Sequence, residues 1–328
     1  MELVAFDLDG TLLNRHQRLS DYTLETLERL KSAGVFYTVA TGRTHVAAMA
    51  CIKEHQFPNW QIFKNGVEWW DPQQNQYRHR NLLSQSHIFD LLSSFEENDV
   101  TPFIFCLEDD GSHRVYHSPL QGHLSDHIAN ELGNHKNMSL HPLSELTHNA
   151  RITNISAMGQ PEFIDNIIKD SQEHSHLTAY SGGGIYHPDA YWLDIHHSNV
   201  CKGSALMELK AEIGAERLIV FGDGDNDLSM FSASDEAFAT DNASIHVKEA
   251  ATNVIGHHDE DGVARYLRLV WRNAMFEFLL FIAACAAIAF LVVNIQKHTA
   301  QPKETLKPIK IEREEKMRRP APRQKRHY

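Results

Sequence analysis

The chain begins with the segment LVAFDLDGTLL, residues 3–13. Its first four residues are apolar and β-prone, which predicts a buried strand that ends at Asp7. Alternate residues of an extended chain point to the same side, so Asp7 and Asp9 are expected to leave the strand together, at the edge where open α/β sheets bind ligands. Two carboxylates so placed repel each other unless a cation lies between them, and a set of oxygen ligands favours Mg²⁺. A turn that caps the next helix is the alternative explanation.

The composition describes an acidic globular body followed by a basic end. The chain has 328 residues, enough for two modest domains. Up to Arg272, 20 Lys and Arg residues stand against 38 Asp and Glu residues, a net charge of −18. From Lys297 to Tyr328, 11 Lys and Arg residues stand against 4 Glu residues, a net charge of +7. The acidic excess of the body argues against a nucleic-acid substrate.

The cysteines and histidines show no metal-binding spacing. The four cysteines lie far apart, which indicates neither a zinc site nor a disulfide framework and fits a reducing compartment. Among the 22 histidines, the pairs His196-His197 and His257-His258 lack the helical spacing of metal ligands. Surface histidines are therefore expected.

Strands and helices alternate through the first part of the chain, and a second α/β unit interrupts them. The order β-α-β-α-β up to Asn65-Gly66 predicts a parallel sheet with right-handed crossovers. Trp69–Arg80 is polar and turn-rich, and a mixed set of helices and strands follows it. We therefore predict a Rossmann-like parallel-sheet core of residues 1–83 and 193–272 with an inserted α/β unit of residues 84–192.

Two further polar residues are expected near Asp7. Thr41 follows a predicted strand, so its hydroxyl and the next amides face the same crevice, and a helix-capping role is compatible with this. Lys202 opens a predicted helix, where the helix dipole disfavours a cation. That position is explained if an anion must be neutralised there, and an ordinary surface lysine is the alternative.

The loop GDGDND at residues 222–227 follows another predicted buried strand. Three aspartates beside Asn226 are a costly concentration of charge unless a cation binds them. An EF-hand calcium loop is the competing explanation, but that motif requires a helix before the loop and a Glu at its twelfth position. Here a strand precedes the loop and the twelfth position does not fit.

Taken in order, these four segments resemble the four motifs of the haloacid dehalogenase (HAD) superfamily of phosphohydrolases. The resemblance extends over residues 1 to about 272. The insertion between the second and third motifs resembles the large α/β cap of the Cof-like sugar-phosphatase subfamily. One departure is His196-His197-Ser198-Asn199, where many relatives carry a glycine before the lysine motif, and it concerns the hinge rather than the chemistry.

The resemblance implies the chemistry of the site. Asp7 would attack phosphorus and become an aspartyl phosphate, and Asp9 would act as general acid and then as general base. Lys202 would offset charge on the phosphate and on Asp7. The phosphoryl oxygens would be bound by Thr41, Gly42 and Asn226. Mg²⁺ would be bound by Asp7, the backbone carbonyl of Asp9, and Asp223, with Asp227 orienting the metal shell.

The C-terminal part predicts a membrane anchor. Residues 278–293 carry no polar side chain, and the apolar stretch extends over residues 274–295. About 20 apolar residues span a bilayer, so a transmembrane helix is favoured over a buried core helix. The basic tail, residues 296–328, is expected to be disordered. The positive-inside rule would keep the basic tail in the cytoplasm, and the lack of a signal-peptide pattern would keep the catalytic domain there as well. Because a single span cannot place both on the same side of the membrane, the orientation stays open.

Together these features predict a membrane-anchored, Mg²⁺-dependent phosphatase of small phosphorylated metabolites, with sugar phosphates among the candidates. Its catalytic domain is expected in the cytoplasm, and nothing in the sequence identifies a protein partner. One alternative is a sugar phosphomutase of the same fold. Another is a membrane-anchored, non-catalytic binding protein with a HAD fold, against which the complete acidic set argues.

Overall fold

A computed structural model describes residues 1–108, 112–134, 138–183, 189–270 and Ile288, and within them residues 262–270 are helical in addition to the strands and helices named next. The strands are β1 Glu2–Phe6, β2 Phe36–Val39, β3 Gln61–Phe63, β4 Glu68–Asp71, β5 Gln76–His79, β6 Phe103–Leu107, β7 His113–His117, β8 Met138–Pro142, β9 Ile152–Gly159, β10 Leu177–Gly183, β11 Tyr191–His197, β12 Arg217–Gly222, β13 Glu236–Thr240 and β14 Asn253–Ile255. The helices are α1 Asp21–Ser32, α2 His45–Ile52, α3 Gln85–Glu97, α4 Gly122–Gly133, α5 Pro161–Gln172, α6 Lys202–Glu212, α7 Leu228–Ala233 and α8 Ile245–Ala250.

Strand β1 lies inside a five-stranded sheet of order β14-β13-β12-β1-β2, and every pairing in it is parallel. Because β1 is buried on both faces, it is a continuous apolar run. Val4 and Phe6 pack on the side of α1, α2 and the helical residues 262–270, whereas Leu3 and Ala5 pack on the side of α6, α7 and α8. The predicted parallel α/β core is confirmed.

Strands β3, β4 and β5 form a separate antiparallel sheet beside the core. Strand β3 meets the main sheet only through the bridge between Ala40 and Ile62. The segment Trp69–Arg80, expected to be turn-rich, supplies most of β4 and all of β5. Its polar appearance is misleading because Trp69 is fully buried, and its indole nitrogen donates to the Gly66 carbonyl at 3.0 Å.

The inserted unit, called the cap below, is a six-stranded sheet of order β10-β11-β9-β6-β7-β8. Helices α3 and α5 pack against the face that carries Ile104 and Ile155, and α4 packs against Phe103 and Val115 of the other face. Strand β11 pairs with β10 along its whole length, up to His197. The cap therefore extends past the expected boundary at residue 192, because the strand continues its hydrogen-bond ladder for five more residues.

No helix within the described residues is long and apolar enough to cross a membrane. The predicted span at residues 274–295 and the predicted tail at residues 296–328 lie outside the described residues, apart from the single residue Ile288. The anchor and the tail therefore stay predictions from the sequence.

Candidate active site

Three carboxylates meet where β1 and β12 end. Strands β1 and β12 are neighbours, with Phe6 opposite Phe221. Asp7 follows the last residue of β1 and Asp223 follows the last residue of β12, so both lie at the same edge of the sheet. Asp227 comes from the turn after Asp223. One carboxylate oxygen from each of the three lies within 4.8 Å of the others. The parallel sheet thus brings together residues that are more than 200 positions apart in the chain.

The buried Lys202 ammonium group lies among these carboxylates. Its Nζ donates to Asp7 Oδ1 at 2.6 Å and to Asp227 Oδ1 at 2.6 Å, and the side chain is fully buried. Burial lowers the pKa of Lys202, but the attraction of Asp227 and Asp7 outweighs it, and the net shift of the pKa is upward. The lysine is therefore a permanent positive charge in the site, unlike the surface lysine of the alternative explanation.

One lysine does not neutralise three carboxylates. Burial raises the pKa of Asp7 well above its ordinary value, against the opposing effect of Lys202. Burial and the charge of Asp227 raise the pKa of Asp223 to about 7. A second cation would let all three groups ionise, and their oxygen atoms are the donors that Mg²⁺ prefers. The residues present therefore fit a hard divalent ion.

Asp223 and Asp227 differ in what already binds their oxygens. Asp223 accepts hydrogen bonds from Thr11 Oγ1 and Asn242 Nδ2, each at 3.1 Å. Asp227 Oδ2 accepts the backbone amides of Asp223, at 2.8 Å, and Gly224, at 2.9 Å, while its Oδ1 binds Lys202. Asp227 thus fixes the loop that carries Asp223, which fits the orienting role implied for it by the resemblance.

Two of the other residues expected to bind phosphate, Asn226 and Gly42, lie against Asn65. Asn226 Nδ2 donates to Asn65 Oδ1 at 3.0 Å. A Cβ atom on Gly42 would lie 3.4 Å from Asn65 Oδ1 and 3.5 Å from Asn226 Nδ2, so Gly42 lies against this pair. Thr41 is buried, and its hydroxyl accepts the backbone amide of Arg43 at 3.2 Å.

A cavity of about 340 Å³ opens beside the carboxylates, between core and cap. Asp223, Asn226 and His246 line it from the core, and Tyr180 and Trp192 line it from the cap. The cavity joins a charged, hydrogen-bonding wall to an aromatic wall.

A model of the haloacid dehalogenase-like hydrolase family matches residues 4–267, most of the chain. The chain belongs to this family. The predicted membership of the HAD superfamily is confirmed, and so is its Cof-like type with an α/β cap. The four motif segments named from the sequence all lie within the matched residues.

Relatives of this HAD hydrolase are named as phosphatases. The chain is 28% identical to the 5-amino-6-(5-phospho-D-ribitylamino)uracil phosphatase YitU of Bacillus subtilis, over 81% of this chain and 96% of that protein. It is 25% identical to the pyridoxal phosphate phosphatase YbhA of Escherichia coli, over 81% of this chain and 97% of that protein. A solved HAD-like hydrolase from B. subtilis shares the fold, with a TM-score of 0.66, 23% identity, and coverage of 82% of this chain and 99% of that chain. The predicted enzyme class, a HAD-type phosphatase, is confirmed.

Asp9 differs from the other expected residues of this HAD hydrolase. Its carboxylate lies outside the group of three and is bound by Arg43, with Nε to Oδ2 at 2.6 Å and Nη2 to Oδ1 at 2.7 Å. Arg43 also contacts Gln17. The Asp7 and Asp9 side chains thus bind different cationic groups of the chain, Lys202 and Arg43, and the guanidinium contacts both oxygens of Asp9. The place of Arg43 directly after Thr41-Gly42, at a strand end, was the available signal for it.

Asn65 was also missed as a site residue. It has a positive φ of 53°, which asparagine tolerates better than most residues. Its amide nitrogen donates to Asp194 Oδ2 of the cap at 3.2 Å, while its oxygen accepts Asn226. Asn65 thus connects Asn226 of the core to Asp194 of the cap sheet.

Proposed function

We propose that this HAD hydrolase is a Mg²⁺-dependent phosphatase of small phosphomonoesters that works through an aspartyl phosphate on Asp7. One observation carries the proposal: a fully buried lysine bridges Asp7 and Asp227 beside a third carboxylate. Packing three carboxylates around one lysine is unfavourable unless the site binds a further cation. Asp7 and Asp223 would hold Mg²⁺, which would supply positive charge that offsets the negative charge of the phosphoryl group.

The residues of the chain supply the remaining steps. Asp7 forms a bond to phosphorus while the bond to the leaving oxygen breaks, and Asp9 donates a proton to that oxygen. Asp9 then accepts a proton from the water that attacks the phosphoaspartate, which releases inorganic phosphate and restores Asp7. Lys202 holds Asp7 in place through both steps. Because Arg43 binds both oxygens of Asp9, Asp9 must leave this ion pair to reach the substrate.

We further propose that the leaving group binds against the aromatic wall of the cavity. Tyr180 and Trp192 provide flat apolar surface next to Asn226 and Asp223. Two relatives have names that specify a phosphorylated ribitylaminouracil and pyridoxal phosphate, and both molecules contain a heteroaromatic ring. We therefore favour a phosphomonoester whose leaving group carries a planar ring over a simple sugar phosphate.

A substrate panel tests these proposals. The purified protein with Mg²⁺ should release inorganic phosphate from phosphomonoesters, with a higher kcat/KM for those that carry a planar ring than for hexose phosphates. Asp7→Asn should lower kcat by about 10⁶, the scale seen when a nucleophile is removed. Asp165→Asn, an exposed carboxylate on helix α5, is the matched control and should keep most of the activity.

Each contrary result has a distinct meaning. Transfer of labelled phosphate from a sugar bisphosphate to a sugar monophosphate, without release, would establish the phosphomutase instead. Binding of phosphomonoesters without any turnover would establish the non-catalytic protein. Full activity in excess chelator would refute the Mg²⁺ proposal, and equal rates on ringed and ringless substrates would refute the leaving-group proposal.

We also propose, from the sequence alone, that residues 274–295 anchor this enzyme in a membrane with the catalytic domain on the cytoplasmic side. The length and apolar composition of that stretch support the anchor.

A further inference from the structure

A second group of buried ionisable residues lies where core and cap meet, apart from the carboxylates of the active site. It consists of Glu68 of β4, His79 of β5 and His113 of β7, and we call it the junction cluster. Glu68 and His79 belong to the small core sheet, whereas His113 belongs to the cap. The side chains are 0%, 6% and 4% exposed, respectively. Histidines expected on the surface are therefore buried here.

The three side chains converge on one point. His113 Nε2 donates to Glu68 Oε2 at 3.0 Å, and His79 Nε2 lies 3.9 Å from the same oxygen. One ligand atom from each residue lies within 4.8 Å of the other two. Two imidazoles and one carboxylate at such distances are a ligand set that protein zinc sites use.

Two atoms of the junction cluster lack a hydrogen bond. Within the part of the chain that the structure describes, neither Glu68 Oε1 nor His79 Nε2 has a hydrogen-bond partner, and both are buried. A buried polar atom without a partner costs free energy that folding normally avoids. Both unpartnered atoms are on residues that could bind a metal. These two atoms are evidence that does not depend on the distances between the three side chains, and they indicate that a ligand binds there.

The charge states favour a metal ligand set. Burial lowers the pKa of His79 to about 4 and also lowers the pKa of His113, so both imidazoles are neutral at pH 7. Burial raises the pKa of Glu68, but the hydrogen bond from His113 and the charge of Lys64 outweigh it and bring that pKa to about 2. The cluster therefore presents two neutral nitrogen donors and one ionised carboxylate.

Lys64 is the main opposing charge. Its Nζ lies 3.8 Å from Glu68 Oε2, donates to Thr153 Oγ1 at 2.9 Å, and lies 4.7 Å from the centre of the Phe105 ring. It is thus tied to the cap and to Oε2, which leaves Oε1 free to bind a metal. Its positive charge weakens the binding of a dication, and burial lowers the pKa of Lys64. The charge of Arg151 also reaches His79.

We propose that the junction cluster binds one divalent transition-metal ion, with Zn²⁺ preferred, through Glu68, His79 and His113. His113 would exchange its hydrogen bond to Glu68 for a bond from Nε2 to the metal, and its ring proton would move to Nδ1, so no net proton is released by the imidazole. Imidazole ligands select Zn²⁺ over Mg²⁺, which separates this site from the all-oxygen active site. Because Glu68 and His79 belong to the core and His113 belongs to the cap, the ion would join the core to the cap.

Cobalt binding tests the proposal. The purified full chain, stripped with chelator, is placed in a large excess of Mg²⁺ to occupy the oxygen site and is then titrated with Co²⁺. We expect one equivalent of Co²⁺ with the strong visible absorption of a four-coordinate, nitrogen-containing complex, and its displacement by Zn²⁺. His79→Gln and His113→Gln should each weaken binding by at least ~100-fold. His257→Gln, in the partly exposed group His257, His258 and Asp259, is the matched control and should bind as the unaltered protein does.

Thermal unfolding of the unaltered protein gives a second measurement that does not depend on whether the variants fold. Zn²⁺ in the presence of excess Mg²⁺ should raise the Tm, because it binds only the folded state. Absence of Co²⁺ binding and of a Zn²⁺-dependent Tm shift would overturn the proposal and assign the orphaned atoms to a buried water molecule. Binding lost in His257→Gln but kept in His79→Gln and His113→Gln would also overturn it.

Discussion

Lys202 is the residue on which the electrostatics of the active site depend. It contacts Asp7, the proposed nucleophile, and Asp227, which organises the loop that carries Asp223. Because Lys202, Asp7 and Asp227 are buried and Asp223 is half-buried, their charges interact more strongly than they would at the surface. When all four groups are ionised, three carboxylates face one lysine and two negative charges are unbalanced in the absence of a metal ion, so the stability of the protein should depend on pH.

The pKa of Asp223, about 7 against an ordinary 3.8, defines that dependence. Between these values the folded state keeps a proton that the unfolded state has lost, so the free energy of unfolding should fall as the pH rises from about 4 to about 7. Above about pH 7 the carboxyl group of Asp223 is ionised in both states, so the proton no longer stabilises the folded state. Mg²⁺ competes with the proton for the carboxylate, so Mg²⁺ should bind more weakly below pH 7 and should restore stability above it.

Melting temperatures at about pH 5 and about pH 8, with and without Mg²⁺, measure this effect. In chelator at the higher pH, the Tm of the unaltered protein should be lower than the Tm of Asp223→Asn. Added Mg²⁺ should remove this difference between the two proteins. Asp225→Asn should behave as the unaltered protein does. If Mg²⁺ stabilised the protein equally at both pH values, Asp223 would not titrate as its surroundings indicate.

At the scale of elements, the beginning of α6 decides where Lys202 lies. Gly203 lets α6 pack directly on α7, because a Cβ atom there would lie 2.1 Å from the carbonyl oxygen of Ser229. The backbone amide of Gly203 also donates to Ser229 Oγ at 3.2 Å. The position of the lysine therefore depends on a helix contact that only a residue without a side chain permits.

Gly203→Ala should force α6 away from α7 and displace Lys202. We expect a loss of about 1–3 kcal/mol in the free energy of unfolding, the usual cost of overpacking, together with a lower kcat. Denaturant unfolding and steady-state kinetics measure the two effects. Gly133→Ala in α4 is the matched control, since its nearest neighbour would be Leu140 Cδ1 at 3.9 Å. Equal effects of the two substitutions would contradict this account of the α6–α7 contact.

At the scale of the whole molecule, core and cap meet in two different ways. Around the active site they are joined by the hydrogen bond from Asn65 to Asp194, with the cavity beside it. At the junction cluster they are joined by the hydrogen bond from His113 to Glu68 and by Lys64 with Thr153. Core and cap are therefore hydrogen-bonded to each other in both places, and the cavity lies beside the first of them.

Truncation after Arg272 tests the predicted anchor. Every residue placed in the active site precedes that position, so the shortened protein should be recovered in the soluble fraction with unchanged kcat and KM. The full chain should sediment with membranes and resist extraction by high salt or carbonate, because the apolar stretch 274–295 would span the bilayer. A full chain recovered as a stable soluble monomer would rule out the anchor.

The sequence by itself determined the parallel core and the positions that lie near Asp7, because the carboxyl ends of parallel strands meet at one edge of a sheet. Thr41, Asn226 and Asp223 are each adjacent to a strand end or a helix start, and Asp223 and Asn226 line the same cavity. Their order along the chain also identified the family.

Only the tertiary structure decided the contacts made across elements. The pairing of Asp9 with Arg43 depends on how the turn after β1 packs against the loop after β2, and the i, i+2 rule for strands stops applying once the strand ends. The burial of His79 and His113 depends on how a core hairpin packs against the cap, so no local pattern marks those histidines. Local periodicity predicts which face of an element is apolar, whereas the partner of a buried charge is chosen by packing between distant segments.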